Sequence, residues 1–471
     1  MSSANVLSQY NVQACKADVH KLNPMFVKLL IVLAAPACWI LPACAATTYV
    51  ADPATYLSML KTLEPGDHLR LMPGEYKSGL PVHNLRGSLR APITVSGPDS
   101  GSRPVFIARP RHNTISIVNS SYVTLRNLDL DGQNIPVDGV KCEGHSDWAD
   151  HIILERLRIT GHGNNQQTVG ISTKCPAWGW VIRNNSIAGA GTGLYLGNSD
   201  GRAPFIAGVI EHNLVVDSRG YNLQIKHQVM RPLLPGIPDK PSATIIRHNV
   251  FSKANGASAD EMARPNVLVG HWPLMGPGST DRYLIYGNFF YQNPNESLFQ
   301  GEGNIALYNN LFVNWFGDAV RIQPHHDTPR DVSVFYNTVV AKGGGITLAR
   351  REHDPVYPQL ISANIVFAQS PIRGASLKKN LTGGFEDAWN FLARPFAPLG
   401  KLNLTLAAGA KVQENLESSA SFEAYPEAHR DFDGDFDGSS HSARRIGAYA
   451  LDKSRPSWMP ALQIKPVPTI R

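Results

Sequence analysis

An all-β solenoid, a single-stranded right-handed parallel β-helix with an N-terminal capping helix, is the fold class this chain predicts. Three observations point to it. A phrase of alternating apolar residues, an asparagine and a further apolar run recurs nine times, centred on Asn127, Arg156, Asn185, Asn213, Asn249, Asn288, Asn310, Asn337 and Asn364. Successive copies lie 29, 29, 28, 36, 39, 22, 27 and 27 residues apart, the spacing of one stacked unit per repeat. About a dozen residues after each centre comes a second alternating run, in order GVKC, GISTK, GLYLG, NLQIK, NVLVG, SLFQG, AVRIQ and GITLA. Each repeat therefore carries at least two short strands separated by a turn. Alternation buries one strand face, asparagine tolerates left-handed backbone at a turn, and stacked amides can bond from coil to coil. A sandwich or propeller would rely on two-residue hairpin turns, which are scarce here.

Taken in chain order, the first element is a leader. From Met25 the run MFVKLLIVLAAPACWILPACAA has a basic start, an apolar core and a small-residue region around Ala43-Cys44-Ala45. Residues 1–45 are expected to be a secretory signal, with Met25 as a candidate start. The apolar run is short for a membrane span and contains Pro36. Leu41-Pro42-Ala43-Cys44 also resembles a lipoprotein cleavage box, so a lipid anchor at Cys44 and an outer-membrane location stand beside ordinary cleavage into the periplasm or medium.

Residues 46–118 are expected to hold the cap and first coils. Asp52-Pro53 can begin a helix whose Tyr56, Leu60 and Leu63 share one face, covering the exposed strand edges of an open solenoid end. Residues 119–370 carry the repeats, and 371–471 the C-terminal coils, loops and cap. With 471 residues, 43% of them hydrophobic, the chain can bury a long core. The net charge of +6 includes three leader lysines, so the mature protein is mildly basic and suits an anionic partner. No basic run interleaved with aromatics points to nucleic acid, and no oligomerisation signal stands out, so a monomer is expected. Beyond the leader only Cys142 and Cys175 remain. They either form a disulfide between adjacent coils or stack as two buried thiols.

The segments LEPGDHLRLMPGEYKSGLPV and APITVSGPDSGSRPVFI combine a PGD turn, an apolar strand, a PGxY turn and a Pro-Ile-Thr-Val strand. In this they resemble the opening coils of the pectate-lyase-like superfamily, closest in layout to its alginate lyase and chondroitinase B group, over about residues 47–370. At the far end DFDGDFDG followed by RIGAY resembles a closing coil. Asp431, Asp433, Asp435 and Asp437 there invite a calcium-loop reading, but Phe436 and Ser442 stand where an EF-hand loop needs Gly and Glu, which favours a solvated turn.

The working face follows from strand alternation. In NLQIKHQ, Leu223 and Ile225 point inward and Gln224, Lys226 and Gln228 outward; the same register places Lys174, Tyr195, Gln300, Glu302, Arg321, Gln323 and His325 on that outer face. The two longest repeats flank Asn249 and carry RPLLPGIPDKPSA and ANGASADEMARP, loops expected to wall a groove beside Lys226 and His271. Trp272 and Tyr195 are candidates for stacking on sugar rings.

Such a groove suits an anionic polysaccharide of uronate type, cleaved by β-elimination. A base takes the proton beside the carboxylate, cations or donors neutralise that carboxylate, and an acid assists the leaving oxygen. The resemblance implies a strand lysine as base, an arginine on a following coil, and calcium held by acidic residues just before the lysine. Lys226 matches the lysine, with Arg264, Arg321 and His271 as candidate partners. The acidic pair is replaced by Arg219-Gly220-Tyr221-Asn222, so no metal ligand is assigned and neutralisation falls to Arg, Gln or His. The alternatives are a uronate epimerase, a non-catalytic glycan-binding solenoid, and a glycoside hydrolase. Hydrolysis needs facing carboxylates, for which Glu302 with Glu261 or Asp318 is the candidate pair; Gly161-His162-Gly163 and Arg321-Ile322-Gln323 only partly match the polygalacturonase motifs.

Overall fold

Each repeat folds into one coil of three short strands. The computed structural model describes residues 46–374, 376–410, 434–439, 446–451 and 453–467; the leader with Cys44, and Asp431 and Asp433, lie outside them. Strands that precede the repeat centres, such as Val209–Glu211, Ala243–Arg247 and Arg282–Tyr286, pair in parallel into a 13-stranded sheet. Strands that follow the centres (Leu214–Val216, Val250–Ser252, Phe289–Tyr291) form a second column, and the later alternating runs (Leu223–Ile225, Val267–Val269, Phe299–Gly301) a third. These two columns merge because the long strand Thr338–Leu348 pairs with both Leu311–Asn314 and Val320–Ile322. The result is the right-handed parallel β-helix the spacing predicts.

The asparagine amides bond from coil to coil as expected, but the left-handed turn falls on a different residue. The left-handed residue is the one before the ladder position: Asn184, His212, His248, Asn309, Tyr336 and Ala363 have φ between 51° and 57°. The asparagines that follow are buried and extended into a ladder. Asn185 donates Nδ2 to Asn213 Oδ1 at 2.9 Å, and the chain of amides continues through Asn249, Asn288, Asn310, Asn337 and Asn364 to Asn380. Each carboxamide oxygen also accepts the backbone N–H of the preceding asparagine, as Asn249 does from Asn213 at 2.9 Å. Two centres belong one register earlier. Asn127 (φ 58°) and Arg156 (φ 54°) occupy the left-handed column, and Leu157, not Arg156, meets Asn185 through its backbone N–H.

Inside the tube, aliphatic side chains stack with rings such as Phe290 on Phe312, centroids 4.4 Å apart. At the N-terminal end the helix Tyr56–Leu60 buries Tyr56, Leu60 and nearby Leu63 against the first coils. Asp52 organises its approach by accepting the N–H groups of Ala54 and Thr55. Cys142 and Cys175 form a disulfide, Cα atoms 6.0 Å apart. The C-terminal segment packs along the outer surface of the second column, where Leu402, Leu404, Phe436, Ile446 and Tyr449 cover Phe289, Leu311 and Val340. Asp435 and Asp437 accept backbone N–H groups there and pair with Lys453, which makes them a structural turn. Among the described residues no helix is long and apolar enough to cross a membrane.

The ladder predicts an asymmetric response to mutation. Asn249→Ala removes four side-chain bonds at a buried site and is expected to lower stability by on the order of 4 kcal/mol. Arg156→Gly, at a left-handed and weakly ion-paired position, should stay within about 1 kcal/mol of wild type. Urea titrations followed by far-UV circular dichroism compare the two. Opening the disulfide, which closes a loop with a separation of 33 residues, should cost roughly 2–4 kcal/mol in the same assay.

Candidate functional site

The third column of strands carries two lines of outward residues, some of them, such as Ser172, Gln224 and Glu302, buried beneath neighbouring loops and side chains. Backbone pairing sets Lys141, Ser172, Tyr195 and Gln224 side by side on successive coils, continuing through Leu268 and Gln300 to Arg321. The second line lies just beyond the strand ends, where hydrogen bonds place Lys174, Gly197, Lys226, Gly270, Glu302 and Gln323 in sequence. Gly270 is required there: a Cβ would collide with the backbone of Lys226 and His227.

Over the N-terminal half of this face lies a cleft of about 550 Å³, lined by Lys141, Lys174, Tyr195, Gln224, Lys226 and Arg264 among others. One wall is the turn that carries Gln166, whose side chain donates to Met262 O at 2.8 Å and so clasps the loop that supplies Arg264. Tyr195 is the centrepiece. The Lys174 ammonium lies 3.4 Å from its ring centroid and Lys226 5.8 Å from it, a cation–π arrangement that holds both cations over one ring. The carboxylate in the lining, Asp138, is buried, accepts the Val169 N–H and pairs with Lys141 at 3.3 Å. Four cations against this one committed acid leave the cleft electropositive.

Burial tunes these groups. It pushes Lys174 down to about 8, opposed by Asp138 and reinforced by Lys141 and Lys226. It also lowers Lys226, against the pull of Glu302, and raises the Tyr195 phenol. Low dielectric disfavours the charged form in each case.

Of the residues expected at the site, Lys174, Tyr195, Gln224, Lys226 and Arg264 come together. Gln300, Glu302, Arg321, Gln323 and His325 lie further along the same face, outside the cleft. Gln300 donates to Ser297 and Arg321 pairs with Asp318 at 3.6 Å. Three assignments are corrected. Gln228 is buried and donates to Phe205 O at 3.0 Å. His271 is 3% exposed, its ring against the carbonyls of Trp272 and Thr328. Trp272 belongs to the core, stacked on Tyr283 at 4.3 Å, and offers no face to a sugar. The strand has ended at Ile225, so period-two alternation does not extend to Gln228, and after Val269 core packing rather than the loops decides where His271 and Trp272 point. Of the two long loops only 254–265 reaches the cleft; the other is tied down by Arg231, buried on Asp281. Lys141 is a cleft residue that the sequence reading misses, although GVKC in the same register places it on the line of Tyr195, two coils away.

The hydrolytic pair does not assemble in the cleft. Glu302 is hydrogen-bonded to His326, and Asp318 accepts Gly344 N–H. His162 is fully buried on Val137 O. Nor does the donor set fit calcium: with Asp138 engaged, the surroundings of Lys226 are amides, phenols and cations.

No protein-family model and no curated relative matches the chain. Solved structures do. A pectate lyase, Pel9A, matches over 86% of this chain and 96% of its own at 13% identity and a TM-score of 0.42. A mannuronic-acid-specific family 6 polysaccharide lyase from human gut microbiota matches over 73% and 88% at 13% identity and 0.43. A GH136 lacto-N-biosidase from Eubacterium ramulus matches over 72% and 68% at 11% identity and 0.42. These likenesses are distant, lyases and a glycosidase stand together among them, and the chemistry of this chain rests on its own residues.

Because Lys174 is a full cation only below about pH 8, affinity for an anionic oligosaccharide should fall as pH rises through that value. Lys174→Met should flatten this limb and weaken binding roughly tenfold at neutral pH, the worth of one charge-assisted hydrogen bond. Calorimetric titrations across the alkaline range measure both effects.

Proposed function

We propose that this protein is a polysaccharide lyase that cleaves a uronate-containing polysaccharide by β-elimination. The observation that carries the reading is the Lys174–Tyr195–Lys226 cluster in an electropositive cleft that lacks opposed carboxylates. The alginate and pectate lyases among the structural matches agree with it in kind. Lys226, with its proton affinity lowered by burial, takes the proton beside the uronate carboxylate. The electron pair left behind forms the ring double bond as the glycosidic carbon–oxygen bond breaks. Arg264, Lys141 and Lys174 neutralise the carboxylate, whose charge spreads onto its oxygens as the proton leaves. Tyr195, kept protonated by burial, returns a proton to the leaving oxygen. The Cys142–Cys175 bridge supports export to an oxidising compartment, in keeping with the leader.

Incubation with alginate, pectate, chondroitin and dermatan distinguishes the readings. Elimination yields an unsaturated uronate that absorbs in the ultraviolet, and this product is expected. New reducing ends without that absorbance would indicate hydrolysis, and binding with neither a non-catalytic receptor. Lys226→Ala should lower the elimination rate by about 10²–10⁴-fold with the circular dichroism spectrum unchanged. A variant that keeps near-normal activity would remove Lys226 from the mechanism.

A further inference from the structure

Two rungs beyond Lys226 on the same line stands Glu302, linked through Gly270 by the strand-end hydrogen bonds, and roughly 10 Å away at the usual strand spacing. Its carboxylate is 3% exposed. A buried carboxylate is costly unless partnered, and the described partners of this one come from a single residue. His326 gives Glu302 Oε2 its backbone N–H at 3.0 Å and Nδ1 at 2.8 Å. His325 and His326 follow the strand Val320–Ile322; the His326 ring is held by Glu302, whereas the exposed His325 ring can turn.

The donor atoms of Glu302, His325 and His326 all lie within 4.8 Å of one another. A second feature marks the same spot. His227, the residue after Lys226, stacks on His326 with ring centroids 3.7 Å apart, and its Nδ1 is buried with no hydrogen-bond partner. Three imidazoles and a carboxylate are thus gathered from strand ends of separate coils.

We propose that Glu302, His325 and His326 form a binding site for a divalent first-row transition ion of the zinc type. Two imidazole nitrogens and one carboxylate oxygen are a borderline donor set suited to such ions; calcium, which takes six to eight oxygens, does not fit. The Glu302–His326 hydrogen bond is already near the spacing of two ligands on one ion, since metal bonds of about 2.0–2.2 Å set donors somewhat over 3 Å apart. Rotation of the exposed His325 ring brings in the third. Three protein donors leave a position for water or an oxygen of a ligand. The site is separate from the cleft, and it stands or falls independently of the elimination reaction.

The test uses the full-length chain without a histidine tag, stripped by dialysis against a chelator. Calorimetry with Zn²⁺ should show one ion bound per chain in the micromolar range or tighter, Co²⁺ should give visible absorption bands of low-coordinate geometry, and Ca²⁺ should give no heat. Glu302→Gln and His325→Ala should each weaken Zn²⁺ binding by at least roughly tenfold, the least seen even for outer-shell partners of metal ligands. His112→Ala, at an exposed histidine elsewhere, should leave it unchanged. Zn²⁺ should raise the melting temperature of the wild type but not of Glu302→Gln. Absence of binding, or binding that Glu302→Gln leaves intact and so owes to surface histidines alone, overturns the proposal. Should Glu302→Gln fail to fold, His325→Ala on the exposed ring decides the matter.

Discussion

The asparagine ladder is the interaction on which the rest of the structure depends. A parallel stack of short strands has little local specificity, since a one-residue slip in any coil would turn its apolar side chains outward. A buried carboxamide prevents that. It has two donors and an acceptor that must all be met away from water, and in Asn249 they are met by Ile210, Asn288 and Asn213 together. Any slip would leave several buried polar groups unpaired at once. The left-handed residue before each asparagine turns the chain so that the amide enters the tube, and the two features work as one device.

Register at the ladder is register everywhere. With each coil indexed by its asparagine, the third strand begins at a set point, and outward residues from coils far apart in sequence fall into line. Lys141, Tyr195 and Gln224 share one line, Lys174 and Lys226 the next. The cleft is therefore rigid along its floor, and its electrostatics follow from partial burial of several cations under a loop clasped by Gln166. The same lines continue past Gly270 to Glu302, so two chemically distinct groups of side chains share one face.

How much of this could be read from the chain depends on which force decides each feature. The period, the apolar alternation and the recurrence of asparagine are local, and the fold, the cap residues Tyr56, Leu60 and Leu63, and most of the working face were legible from them. Asn127 reads one position off because a left-handed asparagine and a ladder asparagine look identical in sequence, and Arg156 follows from its 29-residue spacing to Asn127; only coil-to-coil hydrogen bonds tell the two columns apart. Gln228 follows from carrying the strand alternation past the strand end, and His271 and Trp272 from their nearness to the long loops and from residue type; at all three the chain turns and tertiary packing takes over.

By itself, then, the sequence determined what repeats can determine: a stack of coils, its inner and outer faces, and a polar face that includes Lys174, Tyr195 and Lys226. The tertiary structure decided which of those residues share a space. Loop 254–265 reaches back to Gln166 while the other long loop is anchored by the buried Arg231–Asp281 pair, and that choice places Arg264 in the cleft. It also folded His325 and His326 onto Glu302. The physical reason is range: alternation and period act within a few residues, whereas loop closure and the partnering of buried charge depend on groups that meet only once the coils have stacked.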